Sequence, residues 1–299
     1  MLKKERIVIL IDKFSILTKA NNTNLKFNTV LIKTTNVFLL LTLFLGLTAC
    51  DSNKKSTEKE TAAVSEIPQK EMPKSADKAT QILQETIKAH GGELYDQAKY
   101  EFIFRDKKYT FHNNGNNFAY TVEITKDGTT TFDVLENGTF SRKVNNQTVT
   151  LSEKKENSAK NAVNSVIYFA TLPHKLNDPA VNKKFLEETT IKDQKYDVLK
   201  VTFNEEGGGD DHDDEYHYWI NQNTKKIDYL AYNYQVNGGG VRFRSAYNVR
   251  VVDGITFQDY INYKAEVGTP LKDLPALYEQ GKLKELSRIE TENVINLKK

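Results

Sequence analysis

The feature that most constrains the fold of this chain is a long stretch in which apolar and polar residues alternate with a period of two. It covers residues 100–151, where the segments YEFIFRDKKYTFH and NNFAYTVEITKDGTTTFDVLENGTFSRKVNNQTVTL follow one another. Such alternation places successive side chains on opposite faces of a β-strand. Asp127-Gly128 and Asn137-Gly138 interrupt it, and these pairs favour two-residue hairpin turns. The stretch therefore predicts a meander of four or five antiparallel strands.

A second alternating region lies between residues 185 and 267, with further turn signals at Asn223–Lys226, Asn237–Gly240 and Asp253-Gly254. The chain contains 15 Tyr and 15 Phe against one Trp, and aromatic residues pack well on half-buried pleated surfaces. The region predicts a second antiparallel meander. From residue 269 onward the sequence indicates short helices or turns and then a last strand.

Two segments show helical spacing instead of a period of two. The first can be capped by Ser75 and is stopped by Gly91-Gly92, and its apolar positions are Ala79, Ile82, Leu83 and Ile87. The second lies within residues 157–176 and ends before Pro173. Strands and helices do not alternate along the chain, which argues against a parallel α/β barrel. We predict one α+β domain over residues 77–299, with a large antiparallel sheet covered on one side by a few helices.

The sequence ahead of this domain is typical of a bacterial lipoprotein signal. Residues 37–47 form an apolar run that is too short to span a bilayer, and Lys33 supplies a positive flank. Leu47-Thr48-Ala49-Cys50 then matches the lipobox, in which the cysteine is acylated and becomes the new N-terminus. A buried helix with an incidental cysteine is the alternative, but Cys50 is the only cysteine and a polar tract follows it at once.

These features predict the organisation of the N-terminal part of the chain. Residues 1–49 are interpreted as the signal peptide, and residues 1–30 as an over-extended gene start. Residues 50–76 are the lipidated Cys50 and a disordered tether, because they are charged, rich in Ser and Thr, and poor in apolar residues. A single acylated cysteine leaves none for disulfides or thiolate zinc sites. The formal net charge of +2 includes seven basic and two acidic residues of the signal segment, and without them 35 basic and 38 acidic residues leave −3. With no block of Lys or Arg, nothing in this balance indicates nucleic acid or an anionic membrane surface.

Four short strings downstream of the lipobox resemble an uncharacterised family of Bacteroidetes lipoproteins: HGG, FIFRD, YWINQNTKKIDYLAY and RFRSAYNVRVVDGITFQDYI. That family is similar in architecture to the LolA-type lipoprotein carriers, in which antiparallel strands form a curved half-barrel and helices fill its mouth. The resemblance implies a LolA-like fold with a concave apolar groove able to hold acyl chains or another hydrophobic ligand. The chain departs from those soluble periplasmic shuttles because it is predicted to be lipid-anchored, which favours an acceptor or a stationary binder.

The acidic stretch NEEGGGDDHDDEYHYW, residues 204–219, raises the question of a metal site. Its possible ligands lie within residues 210–217, and they are Asp210, Asp211, His212, Asp213, Asp214, Glu215 and His217. The acids are contiguous and the glycines come first, unlike a calcium-binding loop. In an extended backbone neighbouring side chains face opposite sides, so they cannot all reach one ion. We interpret the segment through Asp214 as an exposed loop and predict no metal site and no cofactor.

Catalytic motifs are not evident in the sequence, which contains no G-x-S-x-G, HExxH or phosphate-loop string. His90 precedes Gly91-Gly92 and is interpreted as a residue at the end of a helix. His112 and His174 are isolated from any nucleophile pattern. We name no catalytic residue, and the question of an enzyme stays open with a binding function favoured.

Arginines alternate with apolar residues between positions 241 and 251, and aromatic residues precede them along the chain. Such alternation is typical of a solvated sheet face, and the aromatic residues suit ordinary cross-strand packing. The functional alternative places the arginines at the rim of a groove, where they pair with a lipid head group or a carboxylate. The candidate groove residues are Tyr218, Trp219, Tyr232, Arg242 and Arg244.

These observations together predict a monomeric, lipid-anchored protein of the bacterial cell envelope, attached to the outer membrane on its periplasmic or surface face. It is expected to bind a hydrophobic or amphiphilic ligand, of a lipid or lipoprotein type, in a concave sheet groove. One alternative is a metal-dependent envelope hydrolase that uses residues 210–217. The other is a surface module that recognises a glycan or a partner through exposed Tyr and Trp.

Overall fold

The computed structural model of the chain describes residues 77–204, 214–235 and 238–299. The predicted signal peptide, Cys50, the tether and residues 205–213 of the acidic stretch lie outside these ranges. Within them, antiparallel strands form two seven-stranded sheets, and three α-helices and several 3₁₀ turns pack against the sheets.

The first sheet is built by hairpins that follow one another along the chain. Its first six strands are β1 Lys99–Phe104, β2 Lys107–Asn114, β3 Asn117–Lys126, β4 Thr129–Glu136, β5 Thr139–Val144 and β6 Gln147–Val149. Both residues of Asp127-Gly128 and of Asn137-Gly138 have positive φ, as two-residue hairpin turns require. The predicted turns are confirmed. The meander has six strands because Arg105-Asp106 and Asn145-Asn146 also adopt positive φ and form turns without glycine.

The second sheet continues the same pattern with longer strands. They are β7 Val181–Ile191, β8 Gln194–Phe203, β9 Tyr216–Asn221, β10 Ile227–Tyr234, β11 Gly240–Val252, β12 Ile255–Ala265 and β13 Lys284–Ile289. Each strand pairs with its neighbour in sequence, so β13 and β7 are the edges. The predicted second meander is confirmed, including the Asp253-Gly254 turn between β11 and β12.

The last strand of the chain returns from the second sheet to the first. After β13 the chain enters β14, Glu292–Asn296, which pairs with β1 at the edge of the first sheet. The two sheets are not closed into a barrel, because no ladder joins β6 to β7. The predicted fold class, an α+β half-barrel of antiparallel strands with a few helices, is confirmed. The strands are divided between two sheets, where the sequence pattern indicated one.

The helices occupy the predicted places with different ends. Helix α1 is Lys78–His90, and its N-cap is Asp77, whose carboxylate accepts a hydrogen bond from the Thr80 backbone N–H at 2.9 Å. The predicted cap, Ser75, is therefore two residues too early. Helix α2 is Glu153–Ala170, which begins before the predicted segment. Helix α3, Leu274–Glu279, follows a 3₁₀ turn at Leu271–Asp273.

The second sheet is buried on both sides, and each side packs against different helices. We call the side that contacts α1 and the end of α2 the inner face; it carries Tyr216, Tyr218, Leu230, Tyr232 and Tyr260. The opposite side, which contacts α3, is the outer face; it carries Trp219, Tyr229, Ala231, Val241 and Phe243. Burial on both sides explains why β9 is buried throughout and β10 over most of its length.

A candidate ligand site on the inner face

Four of the five predicted groove residues share the inner face. Tyr232 lies opposite Arg242, while Tyr218 and Arg244 both lie opposite Leu230, one on each neighbouring strand. Directly opposed residues in adjacent strands point to the same side of the sheet. The structure therefore brings Tyr218, Tyr232, Arg242 and Arg244 together in two adjacent cross-strand rows.

Trp219 lies on the outer face instead. Because it follows Tyr218 directly in an extended strand, its side chain must point to the opposite side. Its ring packs against Phe243 at a centroid distance of 5.8 Å, in the cluster beneath α3. The prediction that placed Trp219 beside Tyr218 in one groove is corrected by this alternation.

Two arginines of β11 are buried, so the interpretation of a solvated sheet face does not hold for these two. Arg244 is 1% exposed and Arg242 is 6% exposed. The Arg244 guanidinium donates to the Tyr232 hydroxyl at 3.0 Å and lies 4.0 Å from the centre of the Phe169 ring, which belongs to α2. Arg242 donates to the hydroxyl of Tyr234 and to the backbone carbonyl of Val241.

Arg244 faces a second arginine that comes from the first sheet. Arg105 stands in the turn between β1 and β2 with a φ of 51°. Burial lowers the pKa of Arg105, and the nearby positive charge of Arg244 lowers it further. Among the described residues, no carboxylate forms an ion pair with either of the two guanidinium groups. The two sheets thus bring together two cations without a paired anion.

Several buried polar atoms around Arg244 have no hydrogen-bond partner in the described part of the chain. Asn262 lies opposite Arg244, and Ser287 lies opposite Asn262 on the next strand. The unpartnered atoms are Arg244 Nε, Arg105 Nη2, Asn262 Nδ2, Asn262 Oδ1 and Ser287 Oγ. We call Arg244, Arg105, Asn262 and Ser287 the inner-face polar cluster.

Three members of this cluster could hardly be predicted from the sequence pattern. Arg105 belongs to a turn and Ser287 to an edge strand. Asn262 and Arg244 lie on the two strands of one long hairpin, far from its turn. The available signal was the register of the Asp253-Gly254 hairpin. Counting pairs back from that turn would have placed Asn262 near Arg244, except that a bulge between Tyr247 and Arg250 shifts the register.

The end of helix α2 covers the cluster. The Tyr168 and Tyr218 hydroxyls are hydrogen-bonded at 2.9 Å, and Phe169 lies over Arg244. Burial raises the pKa of Tyr218 well above its ordinary value, and the neighbouring Tyr168 adds to this effect. Burial also raises the pKa of Tyr260 to about 12. Tyr218 and Tyr260 are therefore neutral hydrogen-bonding groups at physiological pH.

The end of the acidic stretch forms a separate group on the outer side of β9. Glu215 accepts hydrogen bonds from Lys200 and His217. Burial would raise the pKa of Glu215, but the contacts with Lys200 and His217 outweigh it and lower the pKa. Burial lowers the pKa of His217 despite the contact with Glu215. Within the described ranges, no group of three His, Cys, Asp or Glu side chains is placed to hold a metal ion.

A cleft of about 1220 Å³ lies at the far end of α1. It is bounded by the helix end, the 3₁₀ turn Gly92–Gln97 and the end of β14. Its lining includes Glu85, Lys88 and Lys99 beside the apolar Leu94. None of the predicted groove residues lines this cleft, so it is distinct from the inner-face polar cluster.

The fold and this cluster define a class of protein: an open antiparallel half-barrel whose inner face carries aromatic and cationic side chains beneath a helix. A family model described as a family of unknown function, DUF6503, matches residues 33–291. The chain belongs to this family.

Three solved structures are similar to the chain in fold, with low sequence identity. A LolA superfamily protein from Nitrosomonas europaea has 14% identity and a TM-score of 0.44, over 72% of this chain and 92% of that one. A domain assigned to outer membrane lipoprotein sorting, from Vibrio parahaemolyticus, has 10% identity and a TM-score of 0.41, over 74% and 92%. A DUF1329 family protein from Desulfovibrio piger has 10% identity and a TM-score of 0.38, over 74% and 94%.

No curated protein matches the chain. In the part of the chain that the structure describes, none of the helices has the length and apolar character needed to cross a membrane.

Proposed function

We propose that the chain is a lipid-anchored protein of the bacterial cell envelope, and that the inner face of its half-barrel binds a hydrophobic or amphiphilic ligand. In this proposal helix α2 is the movable cover of the site. The ligand lies against the aromatic side chains of the inner face, where the last turn of α2 packs in the ligand-free protein.

The observation that carries this proposal is the uneven packing of α2. Of its 18 residues only Val163 and Ile167 are fully buried, whereas Thr171 and Leu172, just after its end, are buried at 1% and 3% exposure. The chain is thus fixed just after the helix, at Thr171 and Leu172, whereas the helix itself has few fully buried residues and can turn about that point. Helices with few buried contacts open at low free-energy cost, which is the property expected of a cover.

Lipid binding can be tested on the purified full chain. Native mass spectrometry in a mild non-ionic detergent should show a non-covalent lipid that co-purifies, and added hexadecanol should bind and raise the melting temperature. A protein without any co-purifying lipid and without a lipid-dependent melting shift would contradict the proposal.

The role of α2 can be tested by amide hydrogen exchange with and without hexadecanol. The exchange of α2 should change by severalfold on ligand binding, because the ligand alters the packing of its last turn. Helix α3, which packs on the outer face, serves as the internal control and should not respond. An equal response of both helices would indicate global stabilisation and would remove α2 as the cover.

Membrane attachment through Cys50 can be tested separately from ligand binding. Cells fed an alkyne-labelled fatty acid should incorporate the label into the wild-type chain and not into Cys50→Ser. The wild-type protein should fractionate with the outer membrane, whereas the variant should lose this association. Equal labelling of both chains would show that Cys50 is not the acylation site.

A further inference from the structure

Resting on the proposed binding function, we infer that the ligand carries an anionic head group, a carboxylate or a phosphate, which is held by the inner-face polar cluster. Arg244 and Arg105 supply the charge, and Asn262 and Ser287 supply neutral hydrogen-bonding groups beside it.

The first argument is charge. A guanidinium that leaves water needs a compensating anion, since a buried unpaired charge is strongly destabilising. Two half-buried arginines of the described part follow this rule, whereas Arg242, on the same face as Arg244, has only the Tyr234 hydroxyl and the Val241 carbonyl as partners. Arg142 forms a two-pronged ion pair with Asp133, and Arg250 pairs with Asp259 at 3.2 Å. Arg244, which is buried more deeply than either, and Arg105 have no such partner among the described residues.

The second argument is hydrogen bonding. Buried polar atoms nearly always have partners, so a group of unpartnered atoms in one place indicates a missing partner. Asn262 is 0% exposed, yet both of its amide atoms are unpartnered in the described structure. Three of the unpartnered atoms are N–H donors, on Arg244, Arg105 and Asn262. Donors that converge on one place suit the oxygens of a carboxylate or phosphate, which accept several hydrogen bonds.

The third argument is the surroundings of the cluster. Phe169 covers Arg244 from α2, and Tyr218, Tyr232 and Tyr260 surround it on the sheet. An inorganic ion would fill only the polar centre of this site. An amphiphile also offers a hydrocarbon chain that the aromatic rings can contact when α2 moves, so it matches both parts of the inner face.

The direct test compares ligands that differ only in the head group. Hexadecanoate, hexadecyl phosphate and hexadecanol are titrated into the purified full chain, and binding is measured by native mass spectrometry. At least one of the two anions should bind about tenfold more tightly than the alcohol, as expected for charge-assisted hydrogen bonds. The tighter of the two anions identifies the head group as a carboxylate or a phosphate.

A variant at Asn262 sharpens the test, because it can supply the missing anion from within the protein. Asn262→Asp places a carboxylate beside Arg244, so it should raise the melting temperature of the ligand-free protein. It should also weaken binding of the anions by about tenfold more than it weakens binding of hexadecanol. Asn262→Leu is the matched control of similar size without charge, and it should weaken anion binding less and not produce the same rise in melting temperature.

A second pair of variants removes charge inside and outside the cluster. Arg105→Gln should weaken anion binding by about tenfold. Arg288→Gln removes an exposed arginine of β13 and should change it by less than about twofold. Arg105 belongs to the turn between β1 and β2 and to neither strand, so its replacement should leave the strand pairing intact.

The possible failures are distinguishable. If hexadecanol binds as tightly as both anions, the inference about the head group is overturned while the proposed binding function stands. If none of the three ligands binds, both are overturned. If Asn262→Asp lowers the melting temperature and the preference for anions persists, the cluster is not the anion site.

Discussion

The two faces of the second sheet are built from the same strands and are both rich in aromatic residues, but they differ in how their polar groups are satisfied. On the outer face, the Tyr278 hydroxyl contacts Lys192 at 3.0 Å and Ser245 at 3.3 Å, and the Tyr196 hydroxyl donates to Asp228 at 3.0 Å. On the inner face of the described strands, Arg242, Arg244, Gln258 and Asn262 retain unpartnered atoms, whereas on the outer face His217 Nδ1 alone does.

This difference separates a structural core from a candidate site. Phe243 packs between Trp219, Tyr229 and Tyr278 with centroid distances of 5.2 to 5.8 Å, and α3 closes this cluster with its own side chains. A closed and satisfied cluster contributes stability and has no need of a ligand. The inner face carries uncompensated charge under a weakly packed helix. Aromatic content alone therefore does not identify a ligand site, and the state of the polar atoms does.

The largest expected effect is on the outer face. Trp219→Ala should lower the free energy of unfolding by about 4 kcal/mol, because it leaves a cavity in a closed aromatic cluster. Urea denaturation measures this loss. The variant should keep the relative affinities for hexadecanoate and hexadecanol, since Trp219 does not reach the inner face.

Val251→Ala provides the control for Trp219→Ala. Val251 is 61% exposed on β11, so its truncation should change the free energy of unfolding by less than about 0.5 kcal/mol. A Trp219→Ala protein that stays stable but loses its preference for one ligand would reverse the assignment of the two faces.

The second prediction concerns the attachment of α1 to the inner side of the sheet. His90 Nε2 accepts a hydrogen bond from the Ile227 backbone N–H at 3.2 Å. Burial lowers the pKa of His90 to about 3, and the nearby charge of Lys226 lowers it further. The unfolded chain binds this proton near pH 6.5, so stability is lost as the pH falls from 6.5 toward 3. The loss at pH 3 should be about 4 kcal/mol.

Chemical denaturation between pH 7 and pH 3 measures this contribution. His90→Gln has no titrating group at this position, so its unfolding free energy should fall less steeply with acid than that of the wild type. The other histidines keep their own contributions in both proteins. His112→Gln, on β2, is the matched control and should follow the wild type, whereas equal slopes for all three proteins would contradict the prediction.

The third prediction compares a paired arginine with an unpaired one. Arg250→Met leaves the 3%-exposed side chain of Asp259 without its cation and should lower the free energy of unfolding by about 3 kcal/mol. Arg244→Met removes a buried charge that has no paired anion, so it should raise the stability of the ligand-free protein by about 1 kcal/mol. Urea denaturation measures both changes in the free energy of unfolding. Changes of opposite sign support the distinction between the paired and the unpaired arginine, and a loss of similar size in both variants would contradict it.

The sequence was sufficient for features that depend on neighbouring residues. The Asp127-Gly128 and Asn137-Gly138 turns, the two meanders and both longer helices follow from local conformational preference and hydrophobic period. The division into two sheets was not predictable in this way. It depends on β6 and β7, on either side of α2, remaining unpaired with each other. The pairing of β14 with β1, about 190 residues away along the chain, was equally hidden, because a short edge strand carries little signal for so distant a partner.

The candidate site was only partly predictable for a related reason. Alternation placed Tyr218, Tyr232, Arg242 and Arg244 on one face, but it could not show that both faces of the sheet are covered. If one face of the sheet is assumed to be solvated, the alternating arginines are interpreted as surface residues. Arg105 and Asn262 join Arg244 only through tertiary contact, and their unpartnered atoms are evident only when burial and hydrogen bonds are known.

The smallest effect concerns the link between α2 and the inner face. The hydroxyls of Tyr168 and Tyr218 are hydrogen-bonded at 2.9 Å, so a double-mutant cycle with Tyr168→Phe and Tyr218→Phe should give a coupling of about 1 kcal/mol. Either variant should also speed amide exchange in α2, because the cover loses one of its contacts. Tyr278→Phe removes hydrogen bonds of similar strength from the outer face and should leave α2 exchange unchanged. If Tyr278→Phe loosens α2 as much as Tyr218→Phe does, the two faces are one cooperative unit and α2 does not open independently.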